Sequence, residues 1–139
     1  MAHQINLEQL LRVATERKHA NSALDMSCWW HPCGTFGCLA GWAAHDPFFE
    51  ELGLRVLPGT YAGNGSGTIH NQGVLILWLR ANGKPAPLNY FEALQYLFEL
   101  DEHQALYLFG NNPDATMHDA IVDWDDAIER IKDVMEGRI

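Results

Sequence analysis

The sequence predicts a mainly α, α+β fold: a compact bundle of about five helices with a small β-hairpin. Three observations carry this expectation. Apolar residues recur three and four apart through both ends of the chain. Residues 54–73 instead gather β-branched and aromatic residues around a Gly/Asn/Ser cluster. Hydrophobic residues make up 47% of the chain, enough for a real core. At 139 residues, one domain covering 1–139 is expected.

The elements follow in order. Asn6 is placed to cap a first helix over 7–20, with Leu7, Leu10, Leu11 and Ala14 at helical spacing. Thr35 is placed to cap a second helix over 36–46, where Gly37 and Gly41 lie one turn apart and suit close backbone approach. Pro47 opens a short helical segment that Gly53 ends. Residues 54–73 read as a hairpin or a flexible loop, and "VLILWL" (74–79) reads as a buried strand more than a helix fragment. "ANGKPAP" (81–87) reads as a break. Asn89 then precedes a helix to residue 100, Asp101 caps the next, and Gly110 ends it. After the turn "NNPD", a long last helix over 115–137 is expected, with Ile121, Trp124, Ile128, Ile131 and Met135 as its apolar stripe.

Charge narrows the function classes. Nine basic against eighteen acidic residues give a formal charge of -9. General nucleic-acid binding needs clustered Lys and Arg to displace counterions, and an anionic membrane surface needs the same. Neither suits this chain. A small-molecule ligand, a basic protein partner or mimicry of nucleic-acid charge does. No apolar leader-like segment is visible at the start, and the longest apolar run is too short to span a bilayer. A cytoplasmic protein is expected. The three cysteines are an odd count, which disfavours a secreted disulfide framework.

All three cysteines fall in "CWWHPCGTFGCLAGWAAH" (28–45), and three readings of that block compete. A zinc site would draw on Cys28, His31, Cys33 and Cys38, since zinc takes four thiolate or imidazole ligands. The spacing lacks paired Cys-x2-Cys knuckles. His45 is a poor fourth ligand, lying about 10 Å from Cys38 along a shared helix. A thiol-dependent enzyme would use Cys33 or Cys38, with His31 or His45 as base and Asp25 or Asp46 to orient it. The preferred reading is structural: buried cysteines as small hydrophobes, Trp42 filling the core, and His45 satisfied near a helix end. On that reading no cofactor is required, and zinc is the alternative.

"MSCWWHPCGTFGCLAGWA" (26–43) resembles a Trp-Cys…Cys-Gly-Thr-x-x-Cys-x-Ala-Gly-x-Ala signature of small, uncharacterised bacterial and phage proteins. A second block of that group resembles "LFELDEHQALYLFG" (97–110), and a third resembles "TMHDA" (116–120). The chain departs from the second block at Phe98-Glu99, where the group's pattern has a glycine. The resemblance implies a fold and a phage or mobile-element origin, and it carries no mechanism.

Other features are weaker. "GNGSGT" (63–68) lacks both the Walker lysine and the third Rossmann glycine, so it reads first as a hairpin tip and second as a contact loop with Asn64 and Ser66. Trp29 and Trp30 flank His31 in a loop, where an exposed Trp would anchor a partner or stack on a flat ligand. The carboxylates Asp119, Asp123 and Asp126 fall at helical spacing, which reads as a solvated face before it reads as an acidic docking strip. The function expected is therefore non-catalytic binding of a host protein or a small ligand. Contacts are expected at Trp29, Trp30, His31, Asn64 and Ser66.

Overall fold

The computed structural model describes residues 3–26, 37–57, 61–62, 69–70, 74–81, 84–110 and 121–139, with the backbone alone described between 57 and 90. The described residues are mainly helical. Helices α1 (Gln4–His19), α2 (Leu39–Ala44) and α3 (Pro47–Glu51) come first. Strands β1 (Leu54–Leu57), β2 (Tyr61–Ala62), β3 (Ile69–His70), β4 (Val74–Ala81) and β5 (Lys84–Asn89) follow. Helices α4 (Tyr90–Phe98), α5 (Glu102–Phe109) and α6 (Trp124–Met135) complete the chain.

The β region is larger than the hairpin expected. β2 and β3 pair antiparallel, Tyr61 opposite His70, as the hairpin reading requires. β1, β4 and β5 form a second, antiparallel sheet in that order, which confirms a strand at 74–79. "ANGKPAP" is not a break. Ala81 pairs with Lys84, leaving only Asn82-Gly83 between the strands, and Asn-Gly is a strong two-residue hairpin signal. The prolines misled because Pro disrupts inner strands. Here Pro85 and Pro87 lie two apart on β5, an end strand of its sheet, so one open edge accommodates both missing N–H groups.

Three helix starts also differ from expectation. Asn6 does not cap α1. The helix begins at Gln4, and His3 caps it by accepting the Asn6 N–H on Nδ1 at 3.2 Å. Asn6 is itself 7% exposed, inside the first turn. α2 begins at Leu39, and its cap is Cys38, whose Sγ accepts the Gly41 N–H at 3.4 Å. Thr35 lies outside the described residues. Gly37 precedes α2 and bridges Leu24 instead of sharing a helical face with Gly41. α6 begins at Trp124, after its cap Asp123. Ile121 is buried, yet it lies ahead of the helix.

The core forms where α1 packs on α6 and α4, and where α5 packs on α4 and α6. Leu7, Leu10, Phe49, Leu94, Leu108 and Ile131 are fully buried there. Phe98 joins two neighbours: its ring centroid is 5.5 Å from that of Phe49 and 5.6 Å from that of Phe109. This cluster holds the ends of α3, α4 and α5 together. Truncating a buried Phe of this kind costs about 3–5 kcal/mol. Trp42 and Trp124 meet edge to face at 6.2 Å, and their indole N–H groups donate to Ala23 O and Ser22 O. The two tryptophans therefore fix the segment after α1 against α2 and α6.

Candidate functional site

The C-terminus of α4 builds the site. Glu99 follows the helix with φ +51°, in the left-handed region that favours glycine. The Leu100 N–H returns to Gln95 O at 2.9 Å, and the Glu99 N–H to Tyr96 O at 3.4 Å. This is the Schellman pattern, in which a left-handed residue lets the chain satisfy the last helical carbonyls. Leu100 is buried behind it.

Two carbonyls of that helix end are claimed by the start of α1. The His3 N–H donates to Phe98 O at 2.8 Å, and Asn6 Nδ2 donates to Leu97 O at 2.7 Å. The second bond is buried and joins residues 91 apart in sequence. It latches the first turn of α1 onto the last turn of α4. An asparagine so placed is more than a spare cap, because losing its amide would strand a buried carbonyl.

Between these ends lies a cleft of about 580 Å³. His3 and Asn6 contribute from α1, and Leu52 contributes from the chain just after α3. Gln95, Tyr96 and Glu99 contribute from α4 and its terminus, together with Leu97. Tyr96 is 60% exposed and Leu52 41% exposed. Chemically, the cleft offers a carboxylate, a carboxamide, a phenol ring, an imidazole and an apolar wall. The walls are anchored in the core: Leu97 is 7% exposed and Phe98 fully buried.

None of the site residues expected from the sequence is among the described lining residues. Trp29, Trp30, His31, Asn64 and Ser66 lie outside the described residues, as do Cys28 and Cys33. Of the proposed zinc ligands only Cys38 is described. It is 2% exposed, and its sulfur caps α2. Among the described residues, no three His, Cys, Asp or Glu side chains are grouped to hold a metal ion. Asp46 was a candidate to orient a catalytic histidine. Its carboxylate instead accepts two hydrogen bonds from Arg12, at 3.2 and 2.7 Å, and a third from the Phe48 N–H. The Arg12 guanidinium is held further above its usual range, mainly by that Asp46 bond. His45 does find the partner expected of it, its Nδ1 lying 2.9 Å from Gly41 O in the last turn of α2.

Of the acidic strip, Asp119 lies outside the described residues, and Asp123 and Asp126 are paired within the molecule. Asp123 caps α6, and Asp126 accepts from the Val122 N–H and from Arg130 Nε. Asp125 pairs with Lys18. Asp133 accepts the Tyr107 hydroxyl at 2.8 Å and Arg138 Nε at 2.8 Å, and these bonds, Tyr107's first, hold its carboxyl below the usual range. Burial, then the Asp133 bond, pushes the Tyr107 phenol up to about 12.

Sequence reasoning missed the cleft, although one signal was present. The pair Phe98-Glu99 stands where the pattern that the chain resembles has a glycine. No helix among the described residues is long and apolar enough to cross a membrane. No family model, curated protein or solved structure matches this chain.

Proposed function

We propose that this chain is a non-catalytic cytoplasmic binding protein, and that its ligand seats in the cleft between the start of α1 and the end of α4. The ligand is a small molecule or an exposed side chain of a host protein. One observation carries this reading. Glu99 occupies a backbone conformation that costs a non-glycine residue about 1–2 kcal/mol, and its side chain lines the cleft. Residues held in costly backbone geometry beside a cavity cluster at ligand clamps.

Two further features support it. A volume of about 580 Å³ lies within the range of small-molecule sites, and the lining sets the apolar Leu52 and Leu97 beside the polar side chains of His3, Asn6, Gln95, Tyr96 and Glu99. The cleft is also assembled from elements that share the core, so little ordering would accompany binding. The phage or mobile-element origin implied by the cysteine-block resemblance belongs to the same proposal and suits a small acidic protein acting stoichiometrically.

Amide-resolved NMR with a fragment library tests this. Fragments that bind should shift the amides of residues 3–6 and 95–100 together, and the shifts should saturate. Shifts confined to other residues, or none across the library, would contradict the proposal.

A further inference from the structure

The chemistry of the cleft, read as a binding site on the proposal above, selects its ligand. We infer that the cleft takes an organic cation, a guanidinium or alkylammonium group, with its charge against Glu99 and its flat or methylene face on the Tyr96 ring.

Tyr96 and Glu99 are three residues apart at one helix end, and both line the cleft. The Tyr96 ring is largely exposed. Among the described lining residues there is no Lys or Arg. A cation over an aromatic face is attracted by the ring quadrupole, and a carboxylate alongside completes the site. The end of α4 adds the negative pole of its helix dipole. His3 also lines the cleft, and its Nδ1 accepts the Asn6 N–H at the start of α1.

Among the described residues a guanidinium already meets a ring and a carboxylate within the molecule. The Arg130 guanidinium lies 4.9 Å from the Tyr107 ring centroid, while its Nε donates to Asp126 at 3.1 Å. Arg17 sits similarly over Trp42, 5.1 Å from the ring centroid. Around Tyr96 the ring and the carboxylate are both present, and the cation would come from outside. Leu52 offers an apolar wall for the methylene stem that joins such a group to the rest of its carrier.

The carrier is a free amine or the basic side chain of a polypeptide, and the two are separable. NMR titrations would use agmatine, an acetylated and amidated Ala-Ala-Arg-Ala-Ala peptide, and butyrate as the anionic control. The expected result is saturable shifts at residues 95–100 with agmatine or the peptide. Binding should be at least tenfold weaker in Glu99→Gln and in Tyr96→Ala. Tighter binding of agmatine would assign a free amine, and tighter binding of the peptide a basic side chain. Butyrate binding as well as the cations would overturn the inference while leaving the cleft a binding site. Affinity unchanged by Glu99→Gln would overturn it too, as would an inert response to both cations where the fragment library finds cleft binders. Silence in both experiments would remove the proposed function itself.

Discussion

Helices α4 and α6 end in the same motif with different residues at its critical position. After α6, the Arg138 N–H returns to Asp133 O and the Gly137 N–H to Val134 O. After α4, Leu100 and Glu99 make the corresponding bonds to Gln95 and Tyr96. The left-handed residue is Gly137 at φ +76° in one case and Glu99 at φ +51° in the other. The surroundings differ as well. Around α6, Asp133 is clamped by Tyr107 and Arg138, and Gln104 holds the Ile139 carbonyl. At α4 the side chain of the left-handed residue opens onto a cleft. Helix α1 ends in the same motif with Asn21 at φ +53°, the Ser22 N–H returning to Arg17 O and the Asn21 N–H to Lys18 O, so what sets α4 apart is the cleft that its left-handed residue lines. An end that keeps a carboxylate there has given up backbone comfort for a group facing outward.

The comparison can be broken most severely at the latch. Asn6→Ala should destabilise the protein by about 2 kcal/mol, because Leu97 O would lose its buried donor. Urea unfolding would measure it, and a change near zero would mean that water replaces the amide and the cleft floor is loose. Next in size, Tyr107→Phe should cost about 1 kcal/mol at neutral pH by removing one donor from Asp133 while Arg138 still holds it.

That second effect depends on pH with a definite sign. The Asp133 carboxyl is depressed in the folded state, so its contribution is complete above the unfolded value of 3.8 and fades as pH falls through the folded value. Wild type and Tyr107→Phe should therefore converge in stability in acid. For Tyr107 the folded value is raised, so its contribution is complete below the unfolded value of 10.0 and fades as pH rises through about 12. Ultraviolet titration of the phenol should show one tyrosine, absent from Tyr107→Phe, ionising later than an ordinary one.

The smaller effects sharpen the contrast directly. Gly137→Ala should cost about 1 kcal/mol, although no atom lies within 4 Å of the added Cβ, because the conformation alone opposes a side chain. Gly110, after α5, makes a useful control with the opposite cause. Its φ is -68°, ordinary for any residue, but a Cβ there would strike the Leu106 carbonyl oxygen.

Much of the fold was legible because local chemistry governed it. Asp101 makes a full capping box with Gln104, Pro47 opens α3, and Gly53 ends the segment with φ +100°. Sequence reasoning failed in two ways: a distant partner decided the role of Asn6, and local signals were misread at Cys38 and at Asn82-Gly83. Asn6 looks like a cap until Leu97 is brought to it across the fold. Cys38 replaces the expected Thr35 as cap, since a buried sulfur can accept a backbone N–H as a hydroxyl would. The cleft was hidden in the first way. Its residues come from three separate stretches, and only the departure at Phe98-Glu99 from the resembled pattern touched it locally. The contact residues expected around Trp29 and Asn64 fall outside the described residues, so they neither support nor displace the cleft.

The most direct test of the central claim is the stability of Glu99→Gly beside wild type, by urea unfolding at neutral pH. If Glu99 is kept for its outward carboxylate, the glycine variant should be more stable by about 1 kcal/mol, since the backbone strain is relieved and no internal bond is lost. Equal or lower stability would contradict this, making Glu99 a structural residue and leaving the cleft without the observation that marks it as a site.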